Sequence, residues 1–203
     1  MTDMTWTLSY FADYAQIALE NHTTIAQLLA KRKAIDEKLD SSGKLSEEDD
    51  REWSDISREM NKHSRIVIVF CALSLEAFIN DYAIEHLSKS YLEKYLDKLG
   101  LYAKWVVIPR LLTGSQLPTG AKPMQDLDWL IKERNRLVHF KTENLALSEL
   151  GDRLDSYNEE TAERAILTVR NMALALHSID RRAHETWLCY EGKGFPSKRL
   201  DSR

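Results

Sequence analysis

Helix breakers are scarce in this chain: its 203 residues include only seven Gly and four Pro. Most of these fall between about residue 100 and residue 123 or after residue 190, so long helices are permitted elsewhere. Cysteine is scarcer still. Cys71 lies inside an apolar run and Cys189 near the end, neither with metal-ligand spacing around it, which predicts no disulfide framework and no metal centre. A buried free thiol in a reducing cytoplasm is the expected state of Cys71. The first residues lack a basic stretch followed by an apolar core. The longest nearly apolar run, Ile66 to Ile79, is 14 residues with Ser74 and Glu76 inside it. Neither export nor a membrane span is expected. Positive charge is also in deficit. A net charge of −4 argues against a wide basic face for nucleic acid, so any such contact must be local.

What the chain does have is helical periodicity. From Phe11 to Leu39 a seam runs Phe11, Tyr14, Ala18, Asn21, Ile25, Leu28, Arg32, Ile35, Leu39, at alternating spacings of three and four. Ser41-Ser42-Gly43 can stop this helix, and Ser46 with Asp49 three residues later can cap the next. A second seam then follows: Trp53, Ile56, Met60, His63, Val67, Phe70, Ser74. Folding the two antiparallel pairs residues whose numbers sum to about 85. That register sets Asn21 opposite His63, two polar seam residues that would otherwise be desolvated without partners, and brings Arg32 near Trp53.

The second helix should run to about Leu87, and its apolar centre belongs in the middle of a bundle. Shorter helices are expected over Ser90 to Leu99 and Tyr102 to Leu112, the latter short or kinked at Pro109. Thr113 to Pro123 reads as a loop. Helices should follow from near Met124 to His139 and from about Asn158 to Glu185. The expected architecture is a single all-α, up-and-down bundle over residues 1–190, with a long hairpin at 8–87, the remaining helices at 88–190 and a mobile tail at 191–203.

One residue is out of place in this pattern. Leu127, Leu130, Ile131 and Val138 form an apolar stripe, and Arg134 falls about 20° from Leu127 on the helical wheel, in the middle of it. Nothing about folding requires a guanidinium there. Glu76, the only charged residue of the Ile66 to Ile79 run, is an anomaly of opposite sign, and a buried ion pair between the two would resolve both. Asn135 and His139, four apart, share one flank of the helix, whereas Arg134 and His139 are about 140° apart.

The run Arg134-Asn135-Arg136-Leu137-Val138-His139 resembles the R-x4-6-H signature of the HEPN family, helical bundles in which Arg is commonly followed by a polar residue. The segment Ala72 to Asn80 also looks like the first core helix of bacterial members. The resemblance covers about residues 60 to 185. It implies a homodimer whose two motifs meet in a composite cleft, and a metal-independent endoribonuclease, without cofactor, acting in toxin–antitoxin or antiviral defence. Arg134, Asn135 and His139 would be catalytic, Glu76 and Asn80 supporting, and Lys132, Arg136 and Lys141 RNA-binding. The chemistry suits these residue types: attack by a 2′-hydroxyl needs a proton acceptor, a proton donor and positive charge on the phosphorane. An antitoxin or defence protein would be a further partner, and no membrane is expected.

Other readings remain beside this one. The family includes inactive members that serve as dimerisation or binding modules, and the acidic composition favours that alternative. Family toxins regulated by modification carry Tyr two residues after the His; here that position is Lys141, after Phe140, so such regulation is not implied. Gly114 to Lys122 has the wrong spacing for a P-loop, and Pro123 stands where a magnesium-binding hydroxyl would be. His177 and His184 flank Arg181 at a helix end, a setting that suits cations without a metal.

Overall fold

The protein is described from a computed structural model over residues 10–139 and 156–183. Six helices and no strand occur among the described residues: α1 Phe11–Ser42, α2 Glu47–His86, α3 Lys89–Tyr91, α4 Leu101–Thr113, α5 Lys122–Val138 and α6 Glu159–Ile179. The chain is an all-α bundle, and α1 and α2 form its long antiparallel hairpin.

The hairpin turn follows from local chemistry. Ser41 and Ser42 are inside α1, and Gly43 ends the helix with φ +69°, a left-handed conformation that glycine adopts without penalty. Its N–H donates to the Leu39 carbonyl at 2.7 Å. Ser46 then caps α2, its hydroxyl accepting from the Asp49 N–H at 3.1 Å, with Glu47, Glu48, Asp49 and Asp50 favourably placed in the first turn. The predicted register holds. His63 Nδ1 and Asn21 Oδ1 lie 2.7 Å apart, and the Arg32 guanidinium sits 5.8 Å from the Trp53 ring centroid. Trp53 also donates its indole N–H to Asp36 at 3.0 Å.

The middle of α2 is the core of the bundle. Val67, Ile68, Cys71, Ala72, Leu75, Phe78 and Ile79 are all buried, and burial pushes the Cys71 thiol well above the usual thiol range. Phe78 stands between Phe11 of α1 at 4.9 Å and Trp105 of α4 at 5.9 Å, centroid to centroid. By length and composition α2 is the one described helix apolar enough to cross a membrane, but 56% of that window is buried inside the bundle.

Tertiary contacts set the run of the remaining helices. Ser64 donates to the Asn158 carbonyl at 2.8 Å and Tyr82 donates to Asp180 at 2.6 Å, so α6 runs parallel to α2. Asp126, buried in α5, accepts from Arg164 Nη2 at 2.7 Å, and the same guanidinium lies 4.1 Å from the Trp129 centroid. Asp126 also accepts from Lys122 Nζ of its own helix at 2.7 Å, and the Arg164 contact is the one that ties α5 to α6.

Two expected boundaries move. The last helix stops at Ile179 rather than near Glu185, because Asp180 takes an extended conformation and turns its carboxylate to Tyr82 and Arg182. The Ser90 to Leu99 stretch is a single α-turn continuing into a π-helical segment, Leu92–Leu96, which lets both Leu92 and Leu96 reach the core. The helix expected over Tyr102 to Leu112 is found as the 13-residue α4, with Pro109 buried inside it. The last helix also begins where expected, with Asn158 and Thr161 forming a reciprocal capping box. Residues 191–203 lie outside the described part of the chain.

Candidate functional site

Helix α5 carries the motif. Its buried side holds Met124, Leu127 and Leu130, and Arg134, one turn after Leu130, continues that stripe inward. Arginine side chains on helices lean toward the N-terminal end. Arg134 reaches back in this way to α2, where Nη2 lies 3.8 Å from Glu76 Oε2. Its side chain is 21% exposed and that of Glu76 37%.

The two anomalous charges therefore do meet, but loosely. At 3.8 Å the contact is Coulombic attraction without a hydrogen bond. Arg134 Nε is buried and has no hydrogen-bond partner among the described residues. A guanidinium has five N–H donors in a rigid fork, so this one is held by charge with donors still to satisfy.

His139 is the residue that ends the helix. Its φ of −108° and ψ of 32° leave helical geometry, while its backbone N–H still donates to the Asn135 carbonyl at 2.9 Å. The His139 and Asn135 side chains are exposed, as is neighbouring Val138 at 54%. The helical wheel placed Arg134 and His139 on different sides, and the burial agrees: the cation is inside and the imidazole outside.

The other predicted residues divide. Asn80, one turn beyond Glu76, accepts from Lys104 Nζ of α4 at 3.1 Å. Lys104 is 3% exposed, and the sequence reading overlooked it, although an ammonium in line with Leu101, Trp105 and Ile108 was a readable signal. Lys132 is exposed and bound to Asp128 at 2.6 Å, a turn earlier on its own helix. Arg136 lies 3.2 Å from Glu133 and neighbours the Tyr157 hydroxyl. Lys141 lies outside the described residues.

Tyr157 was also missed. It is 6% exposed, sits just before α6, and packs its ring 5.1 Å from the Arg65 guanidinium of α2. Burial raises its hydroxyl pKa, the Glu133 carboxylate adds to that, and the neighbouring Arg136 and Arg65 oppose it. Tyr157 thus ties the motif end of α5 to the middle of α2. No spacing rule links residues 65, 136 and 157, so no sequence signal pointed to it.

Among the described residues no group of His, Cys, Asp and Glu is arranged to hold a metal ion. No family model, no curated protein and no solved structure matches the chain.

Proposed function

We propose that the protein is an endoribonuclease of HEPN type that cuts RNA through attack of a 2′-hydroxyl, acting as a homodimer in a toxin or antiviral defence system in the cytoplasm. The observation that carries this reading is Arg134: a cation in an apolar stripe, tethered to Glu76 at 3.8 Å, with a buried Nε that has no hydrogen-bond partner among the described residues. Folding alone would be served as well by leucine at this position, which matches the flanking stripe.

The proposed division of labour follows from residue chemistry. The Arg134 guanidinium stabilises charge developing on the phosphorane. His139, exposed at the end of α5, exchanges protons with the 2′-hydroxyl or the leaving 5′-oxygen. One chain offers one such histidine facing solvent and one guanidinium facing inward. A second copy docked on α5 would supply the other acid or base and close the cleft around both motifs. Asn135, beside His139, would hold the phosphate or the imidazole, and Glu76 orients Arg134.

The test is cleavage of single-stranded RNA by purified protein in EDTA, with products bearing 2′,3′-cyclic phosphate and 5′-hydroxyl ends. His139→Ala should lower the rate about a hundredfold or more. A folded wild-type protein that cuts neither tRNA, mRNA nor structured RNA, or a His139→Ala variant as fast as wild type, would leave the non-catalytic dimerisation or binding module as the reading.

A further inference from the structure

The outward face of α2 upstream of the motif contact carries a second cationic feature. Trp53, Ser57, Arg58, Asn61, Lys62 and Arg65 line a concave surface of about 500 Å³. On the wheel Arg58, Lys62 and Arg65 lie within about 60° of one another. The acids of the same turns, Asp55 and Glu59, occupy the adjoining strip and do not line the concavity. They pair with Arg58 and Lys62 at 2.9 Å each, with all four side chains largely solvated. Pairs of this kind hold their cations weakly and release them to a competing phosphate.

Two further observations give the face a direction. Ser57 Oγ, in the wall of the concavity, is buried without a hydrogen-bond partner among the described residues. Arg65, at the near end, donates to Asn61 at 3.1 Å and stacks over Tyr157, which neighbours Arg136. Arg58, Lys62 and Arg65 thus lie along one strip of α2, and Tyr157 stands between its near end and Arg136 of the helix that carries His139. At the far end Trp53, 36% exposed, adds aromatic surface.

We infer that this face of α2 is a binding track for single-stranded RNA, which leads the strand from the hairpin to the R-x4-H helix; its purpose rests on the ribonuclease reading. Single strands are held without sequence readout by this combination of backbone-tracking cations and an aromatic platform. The span from Trp53 to Arg65 is about 18 Å, enough for several nucleotides.

The test uses the intact protein and a fluorescent 20-nucleotide single strand with 2′-O-methyl groups, which removes the attacking hydroxyl and makes binding measurable without cleavage. Arg58→Gln with Lys62→Gln, both at exposed positions, should weaken binding about tenfold or more at low salt. The slope of log affinity against log salt should fall by about 1.4, the loss of two phosphate contacts to a single strand. Cleavage of a tetranucleotide, too short to use the track, should be unchanged. Equal affinity of variant and wild type for the 20-mer overturns the track, whatever the activity. A wild type that binds the 20-mer through this face but cuts nothing supports the track and removes the ribonuclease reading. Binding of a polyglutamate peptide, lost in the double variant while RNA affinity stays the same, assigns the face to an acidic protein partner and overturns the track.

Discussion

His63 Nδ1 and Asn21 Oδ1 meet at 2.7 Å across the seam of the α1–α2 hairpin. The Asn21 amide nitrogen donates to the Ile17 carbonyl at 2.8 Å, which leaves the side-chain oxygen as the atom facing the ring. An oxygen there makes His63 Nδ1 the donor, and Nε2 is left 3.7 Å from Glu59. The pair fixes register, because a shift along the seam would leave both groups desolvated without partners.

Asn21→Leu should therefore cost about 1–3 kcal/mol, since it leaves a half-buried imidazole N–H unpaired. Joining it with His63→Leu should recover most of that loss, because an apolar pair of similar shape has nothing to satisfy. Urea midpoints of the two single variants and the double variant give the coupling. Strictly additive losses would show that the bond does not hold the register.

Asp180 should make stability depend on pH in acid. Hydrogen bonds from Arg182 hold its carboxyl well below the usual carboxylate range; burial opposes this and the Tyr82 hydroxyl adds to the lowering. A group whose pKa is depressed on folding contributes stability above its unfolded value, about 3.9 for Asp, and loses it as pH falls from there toward the folded value. Thermal unfolding between about pH 5 and pH 2 should show wild type losing stability faster than Asp180→Asn over that window. Parallel curves would mean that the Tyr82–Asp180–Arg182 cluster does not couple to folding.

Arg134→Leu should separate stability from activity. The loose pair with Glu76 offsets little of the cost of holding a charged side chain that is only 21% exposed, and leucine matches the flanking stripe. The variant should melt at or above the wild-type temperature while its RNA cleavage falls about a hundredfold or more. A large drop in melting temperature would assign Arg134 a mainly structural role.

A homodimer is the expected state at micromolar concentration, with His139 near the contact. Light scattering checks this directly, and Val138→Asp, beside His139 and 54% exposed, should shift the mass toward monomer. A wild-type monomer over the whole concentration range removes the composite cleft.

The sequence by itself determined the hairpin and its register, because both follow from periodic spacing and local capping that neighbours along the chain decide. Asn21, Arg32, Trp53 and His63 all found their expected partners, and the charge anomalies at Glu76 and Arg134 were readable as one contact. What only the tertiary structure decided depends on residues far apart in the chain. Asp180 ends α6 because its carboxylate meets Tyr82, 98 positions away. Tyr157 bridges Arg65 and Arg136 because the turn before α6 packs where α5 ends against α2. Helical periodicity specifies which face of a helix turns inward, but not which side chain of another helix it will meet. The strip of Arg58, Lys62 and Arg65 follows from spacing along α2, but its approach to Arg136 through Tyr157 became visible only once the helices were packed.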